Sequence, residues 1–543
     1  MPLTKEETDF LIKRNEQLKM IRQQYEPLWE EIATYILPGR VGIGYKPTPG
    51  AKLTKNLFDS SAIFSNENLA FSMCGTITPS SIIWAYLKLA DDRLNRIKEV
   101  MDWLETCSQL LHYHRKRSNF YAEVPELYTD LSAFGQGCMF LNENPIAHMG
   151  FNGFYYKTLA NSEYCTAEDH QGFVNTVFHE FEKSAIAARD EWGKETPKKI
   201  LDSAEKEPDK KFSFLHCTFP NENGGKPFIS HYINLDEMAY VSEKGYYELP
   251  FIVPRLRKIS GEDYGRGQGH VALPDTRTLN KAKELDMKAW AKDIDPATFE
   301  KDKGIIGNLK LYAGGRNVAK DKESIWTLDR HTRYDVTQIK QESLVTSVRQ
   351  MFYFDQLNLP EKSDMREMEV VIRYNLMQRL LGPGLGRIEV ELLKKLVERE
   401  FGILFRAHAL PPVPQILRRM GVKEIDIEYE GPLARSQRVN DATAIQKLYA
   451  FVAPISAVNP KILDKIDDDK AVELEAEALG VPSKVLRSDE EVIALREQRA
   501  KAQAAEQQKM DMERLATGIG QVTPLLKSWQ ERQGQRVKHE RAN

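Results

Sequence analysis

The most suggestive chemical run in this sequence is Gly265-x-Gly267-x-Gly269, because closely spaced glycines can let backbone amides approach a phosphate. A dinucleotide fingerprint places its third glycine one position later and follows a buried parallel strand. Asp263-Tyr264 precedes this run, which therefore reads as a flexible junction into the following helix. The phosphate-cradling loop G-x-x-x-x-G-K-[ST] does not occur: Gly193-Lys194 continues with Glu195 and Gly225-Lys226 with Pro227. That argues against an NTP-driven motor. His179-Glu180 lacks the second histidine of a zinc protease helix, and no cysteine pair has zinc spacing. His112 and His114, two apart, point to different sides of a helix and read as surface histidines. Asp467-Asp-Asp469 reads as a helix N-terminus, where carboxylates meet the positive end of the dipole, rather than as a cation site. No nucleophile elbow accompanies the serines.

Two groups of basic residues could meet phosphate. Arg115-Lys-Arg117 ends a helix, and the reading preferred is a solvated C-terminus favoured by the dipole. Lys281, Lys283, Lys288 and Lys292 lie on one long helix with Glu284, Asp286 and Asp293. That helix is nearly charge-balanced, and ion pairs within it or between subunits explain it at least as well.

The whole chain agrees with this restraint. It has 543 residues, 76 Lys plus Arg against 79 Asp plus Glu, and a net charge of -3. Its 41% hydrophobic and 29% charged residues are those of a folded protein of about three or four domains. A polybasic nucleic-acid coat and a wholly disordered chain are excluded. Five scattered cysteines make no disulfide scaffold and suit a reducing cytosol. No signal segment or membrane-length apolar run is visible, so synthesis and folding in a cytoplasm are expected.

The elements that must position these residues can be followed along the chain. Thr4 and Glu7 have capping-box spacing ahead of a helical stripe through Ile21, Leu28 and Ile32, which Pro27 should divide. Helices are expected from about Ser61 to Cys74, through Ile97 to Leu111, and from Val124 to Phe134, the last stopped by Gly135. Strands follow from Cys138 to Phe181, with a turn at Asp169-His-Gln-Gly172. A lysine-rich surface segment (194–211) precedes strands at 212–219, 228–233, 238–241 and 246–255. The texture then changes. Leu273–Ile294 and Asp335–Leu357 read as two matched helices enclosing about forty residues of short strands and Gly turns, a hairpin with a knob at its tip. Such a shape projects from a body. Helices are expected again at 365–381 and 389–401, with Gly382-Pro-Gly-Leu-Gly386 breaking between them. A strand at 425–429 and helices at 436–451 and from Ser488 to about Leu515 follow, and the residues from Ala516 are polar.

In order and spacing, these segments resemble the portal, or head-to-tail connector, proteins of short-tailed tailed phages. The resemblance lies in Trp29-x-x-Ile32 to Pro38, Leu57-Phe-Asp-Ser60, Ile77-Thr-Pro79 with Trp84, Ser118-Asn-Phe-Tyr121 and Phe134-Gly135. It is plainest in Tyr264-Gly-Arg-Gly267 with Ala272-Leu-Pro-Asp275 and Leu279-Asn280. It continues in Leu381-Gly-Pro383, Gly386-Arg387, Gly431-Pro-Leu-Ala434, Gln437-Arg438, Asn459-Pro460 to Asp469, and Leu479-Gly-Val-Pro482 before Arg487-Ser488. The segment near 194–211 and the tail after Ala516 carry none of it.

The resemblance implies an α+β fold of portal architecture. Its parts would be a wing (1–272 and 358–455), a two-helix stem (273–294 and 335–357), a β-containing clip (295–334), a helical crown (456–515) and a polar tail (516–543). It implies a non-enzymatic homo-oligomeric ring, usually of twelve copies, at one capsid vertex of the virion. Double-stranded DNA would pass through the channel. A terminase motor, then tail adaptor proteins, would dock on the ring, which would also meet major capsid and scaffolding proteins. No cofactor, metal or membrane enters. DNA-channel candidates are Lys281, Lys288, Lys292, Lys340, Arg349 and, on the loop 357–366, Lys362 and Arg366. Candidates for partner docking on the clip are Lys310, Tyr312, Arg316 and Trp326. A conduit must let DNA slide, and each added phosphate contact raises affinity, so a near-neutral chain suits it. The alternatives are a tail adaptor or other connector component and, behind it, a DNA-processing enzyme.

Overall fold

The structure is a computed structural model. It describes residues 3–44, 48, 50–95, 97–144, 151–222, 224–294, 298–302, 305–306, 318–321, 324–327, 334–357, 376, 379–419, 427–430, 432–456, 459–479, 485, 487, 491–510, 512, 528–529 and 532. The fold is α+β. The expected helix over 365–381 falls almost wholly outside these residues, as do Ser488 and nearly all of the tail.

Local signals act where the sequence places them. Thr4 caps the helix Lys5–Gln23: its hydroxyl accepts from Glu7 N at 3.3 Å, and the Glu7 carboxylate accepts from Thr4 N at 2.8 Å. Pro27 sits in the first turn of a separate helix, Glu26–Tyr35, where its missing N–H costs nothing. Helices Ser61–Ile77, Lys98–Arg117 and Phe120–Phe134 complete the N-terminal helical layer. Their buried faces (Leu69, Met73, Leu104, Leu111, Leu127, Leu131) join Trp29 and Ile32 in one core, to which Leu392, Leu396 and Leu404 contribute from the far end of the chain. The strand β1 (Tyr86–Leu89) pairs antiparallel with Ile427–Glu430, so segments on either side of the long hairpin build one body.

Six to eleven residues suffice for most of the remaining strands. The strands β2 (Cys138–Glu143), β3 (Phe154–Leu159) and β9 (Phe251–Ile252) form a three-stranded sheet in the order β3-β2-β9. Of the expected strand over 246–255, only Tyr246, as the last residue of a preceding strand, and Phe251–Ile252 are strand. The strands β4 (Tyr164–Glu168), β5 (Val174–Ser184), β6 (Lys211–Pro220), β7 (Phe228–Asn234) and β8 (Ala239–Tyr246) form an antiparallel meander. Leu11 and Leu18 of the first helix cover one face, over Phe178, Leu215 and Cys217. Helices Ala185–Trp192 and Lys198–Lys206 cover part of the other, with Trp192, Ile200 and Ala204 against Phe214 and Tyr232. The lysine-rich segment is therefore amphipathic, with its lysines outside and Ile200 inside.

Three further sequence readings need correction here. The glycines at 265–269 form no flexible junction. A Cβ on Gly267 would lie 2.5 Å from both Gly135 N and Ser132 O, and one on Gly265 would lie 2.2 Å from Gly135 O. Gly135, at φ 80°, ends its helix in the left-handed region and brings its backbone against this run. The glycines exist so that two backbones can touch. Gly267→Ala is expected to destabilise the protein by at least about 3 kcal/mol, the upper end for overpacking, because backbone blocks the methyl on both sides. Equilibrium urea unfolding checks this, and an unchanged midpoint would contradict it. His112 and His114 are half-buried. The His114 ring packs edge-on against Phe151 at 5.1 Å, and burial holds both imidazoles below their usual range. At Gly382-Pro-Gly-Leu-Gly386 only Gly382, at φ 52°, breaks the chain, and Pro383 opens the next helix, Pro383–Ile388.

That helix continues through a π-helical segment, Glu389–Lys394, into Lys395–Arg406. The wider turn carries Glu391 inward, where it accepts from Arg255 N at 2.9 Å and Arg255 Nη2 at 2.7 Å.

Candidate functional site: the paired long helices

The helix Gln268–Ile294 begins buried in the body and leaves it. Gly269, Ala272, Leu273, Thr276, Leu279 and Asn280 are buried, and no residue after Asn280 is. Its last fourteen residues, 281–294, extend roughly 20 Å at 1.5 Å per residue. The helix Tyr334–Met351 returns beside it, followed by a turn and the short helix Phe354–Leu357, where a single helix to Leu357 is expected from the sequence. Tyr353, at φ 57°, makes that turn. Between the two helices, Thr298–Glu300 and Ile325–Thr327 pair antiparallel as β10 and β11.

Two cross-links set the register of the pair. Ser347 Oγ donates to Asp275 Oδ2 at 2.6 Å, and Gln341 Nε2 donates to Asp286 Oδ2 at 2.5 Å. One helix advances as the other retreats, so they lie side by side and antiparallel. Successive residues turn by about 100°. With Asp275 and Asp286 facing the partner, the rest of the first helix divides into two flanks. Lys281, Leu285, Lys288 and Lys292 lie on one. Lys283, Met287, Trp290 and Ile294 lie on the other. The antiparallel register puts Lys340 on the lysine flank and Arg349 on the tryptophan flank.

Contacts with the body agree with that division. Phe58 N and Asp59 N donate to Asn280 Oδ1 at 2.7 and 3.3 Å, and Lys283 pairs with Asp59. The Arg349 guanidinium lies 5.3 Å from the Phe354 ring, which meets Phe64 at 5.4 Å. Residues 58–64 therefore support the tryptophan flank at its base.

The two flanks differ in chemistry. Beyond that base, Met287 is 54% exposed, Trp290 61% and Ile294 65%, an uncovered apolar stripe. The lysine flank is basic but tempered. Lys281 and Lys288 both reach Glu284, at 2.8 and 2.5 Å, and their hydrogen bonds hold its carboxyl down to about 2. Lys292 and Lys340 are exposed. Lys292 also sits in the last turn, where a cation complements the helix dipole. Lys281, Lys288, Lys292 and Lys340 are thus brought to one flank, and Arg349 is not. Lys362, Arg366, Lys310, Tyr312 and Arg316 lie outside the described residues, and of Trp326 only the strand backbone is described.

In the other basic cluster Lys116 and Arg117 are exposed in the last turn, as a solvated helix end requires, but Arg115 is not. Arg115 is completely buried: Nε donates to Glu400 Oε1 at 3.0 Å, Nη2 also reaches Glu400, and the guanidinium lies 4.2 Å from the Trp84 ring. Tyr156 Oη donates to the same carboxylate at 2.5 Å. Sequence spacing carries no signal for this node, since its partners lie 285 residues apart. Asp467 accepts from Lys470 N at 3.3 Å as its helix begins, and Asp469 takes both Arg496 Nη atoms at 2.7 and 2.6 Å. Among the described residues no group of three or more His, Cys, Asp or Glu could hold a metal ion, and no helix is long and apolar enough to cross a membrane.

The family profile and two curated relatives agree with one another. The family profile described as "Bacteriophage head to tail connecting protein" matches residues 8–486. A "Probable portal protein" of Bordetella phage BPP-1 is 26% identical over 535 residues, covering 92% of this chain and 93% of that one. The "Portal protein" of Salmonella phage epsilon15 is likewise 26% identical over 535 residues, covering 92% of each. A solved structure described as "Neck of empty GTA particle computed with C6 symmetry" is 12% identical, covers 75% of this chain and 91% of its own, and has a TM-score of 0.34.

Proposed function

Because the chain belongs to the bacteriophage head to tail connecting protein family, we propose that it assembles into a closed ring at one capsid vertex, through which double-stranded DNA is packaged and ejected. The observation that carries this reading is the division of the exposed helix pair into an apolar and a tempered basic flank. An uncovered apolar stripe on a projecting hairpin calls for a partner, and identical copies supply one if obliquely overlapping pairs circle an axis. The lysine flank then faces the lumen. Glu284 limits how firmly it can hold phosphate, which suits a conduit rather than a clamp.

In this reading the stem is 273–294 with 335–357, carried by the helices Gln268–Ile294, Tyr334–Met351 and Phe354–Leu357. The residues between these two segments form the clip. The wing comprises 1–272 with 358–455, and the crown is 456–515. The clip receives the packaging motor during filling and tail adaptors afterwards, with capsid and scaffolding proteins around the wing. No catalytic step is assigned to the chain. The energy for movement comes from the docked motor.

Reversing the flank tests the reading. The triple variant Lys281→Glu, Lys288→Glu, Lys292→Glu is expected to form rings of normal mass, because the tryptophan flank is untouched. Carried into phage, it should lower the yield of DNA-filled particles by about tenfold or more, as like charge lines the passage. Normal filling with all three charges reversed would contradict the lumen assignment.

A further inference from the structure

The five-stranded sheet meets the three-stranded sheet through a seam of aromatic rings enclosing two histidines. His179 on β5 stands opposite His216 on β6, and Tyr232 on β7 stands opposite His216. The His216 ring stacks on Tyr232 at 4.2 Å and 15°. From the other sheet Phe251 and Phe140 approach it at 5.1 and 5.9 Å. His179 stacks on Phe181 at 5.1 Å and meets Phe251 at 6.1 Å. Both histidines are buried.

Their polar surroundings are unequal. His179 Nε2 lies 3.8 Å from Glu163 Oε2, just ahead of β4. Among the described residues, His216 Nε2 meets two hydroxyls, Ser230 Oγ at 2.5 Å and Thr218 Oγ1 at 3.2 Å. The charges that act on the pair are Glu163, Lys157 on β3, Glu180 and Lys183 on β5, Lys244 on β8 and, when protonated, His231 on β7. Glu180 and His231 belong to the opposite face of the sheet, where Asn15 and Lys19 take up Glu180. Glu191 pairs with both Lys183 and Lys244. Protonated His179 would thus have a carboxylate beside it. Protonated His216 would have none, and would face His179 across the strands.

We propose that this seam is an acid-labile joint, in which protonation of His216 separates the five-stranded sheet from Phe140 and Phe251 while the helical core stays folded. Burial, reinforced by His179 and the lysines, holds the His216 imidazole well below its usual range. The closed seam is therefore fully stabilised above the unfolded value near 6.5 and weakens as pH falls below it. Each unit of acidification in that window favours the open form about tenfold per titrating imidazole. The joint rests on the packing of the two sheets and is independent of the ring reading.

Two buried thiols report the two regions separately. Cys138 on β2 lies in the seam with Val177 and Phe251, whereas Cys107 lies in the helical core. The full chain is pulsed with a pyridyl disulfide at pH 7.5 and pH 5.5, each thiol is read by mass spectrometry, and rates are normalised to the unfolded chain. Cys138 labelling is expected to rise about tenfold or more on acidification, with Cys107 still protected. In His216→Phe the rise should vanish. Persistent protection of Cys138, a parallel rise of both thiols, or an unchanged rise in His216→Phe would overturn the proposal. Should His216→Phe fail to fold, the ratio of the two thiols in the unaltered chain decides, because global opening exposes both.

Discussion

Trp290→Glu is expected to reduce the assembled particle to single subunits of 62.3 kDa with the fold intact. Trp290 lies beyond the last buried residue of its helix, so no part of the subunit core depends on it. Its ring stands between Met287 and Ile294 on a stripe that its own chain leaves exposed. A tryptophan at the centre of an interface commonly accounts for about 2–4 kcal/mol. An unpaired carboxylate placed there adds a desolvation penalty of its own. A ring repeats that loss at every contact, so assembly should fail as a whole. Light scattering on the eluted protein and circular dichroism check the two halves of the prediction. Particles of unaltered mass would show that the stripe is not where copies meet.

Glu400→Ala should destabilise the subunit by about 3–5 kcal/mol, the usual cost of stranding a buried charge. The carboxylate is wholly buried and serves both Arg115 and Tyr156. Without it the guanidinium keeps the Trp84 and Phe120 faces, which cannot replace an anion. Lys116→Ala, at an exposed neighbour in the same basic cluster, should stay within about 0.5 kcal/mol. Urea unfolding of both variants separates them, and a small effect at Glu400 would mean that the node is hydrated or dispensable.

These two cases also show what a sequence can carry. The Thr4–Glu7 box, the Pro27 division and the Gly135 stop each act within four residues, and each was legible. So was the turn at Asp169, whose carboxylate accepts from Gln171 N and Phe173 N at 2.8 and 2.9 Å. The burial of Arg115 is not legible, because its partner is 285 residues away and periodicity cannot announce such a contact. The role of Gly265 and Gly267 is hidden for the same reason: they answer to Gly135, on a distant helix end. In the helix pair, the ion pairs of Glu284 follow from spacing three and four, a local rule. The division into flanks does not, since it needs the register between Asp286 and Gln341. Only that register sets Lys340 beside the lysines of the first helix and Arg349 away from them.

The most direct measurement is electron microscopy of the purified chain, followed by a reconstruction of whatever assembles. The account predicts closed rings with an open centre, the paired helices standing around it, lysine flanks inward and Trp290 covered by a neighbouring copy. Isolated subunits at high concentration in several salts, or rings whose helix pairs turn Lys281, Lys288 and Lys292 away from the opening, would contradict it.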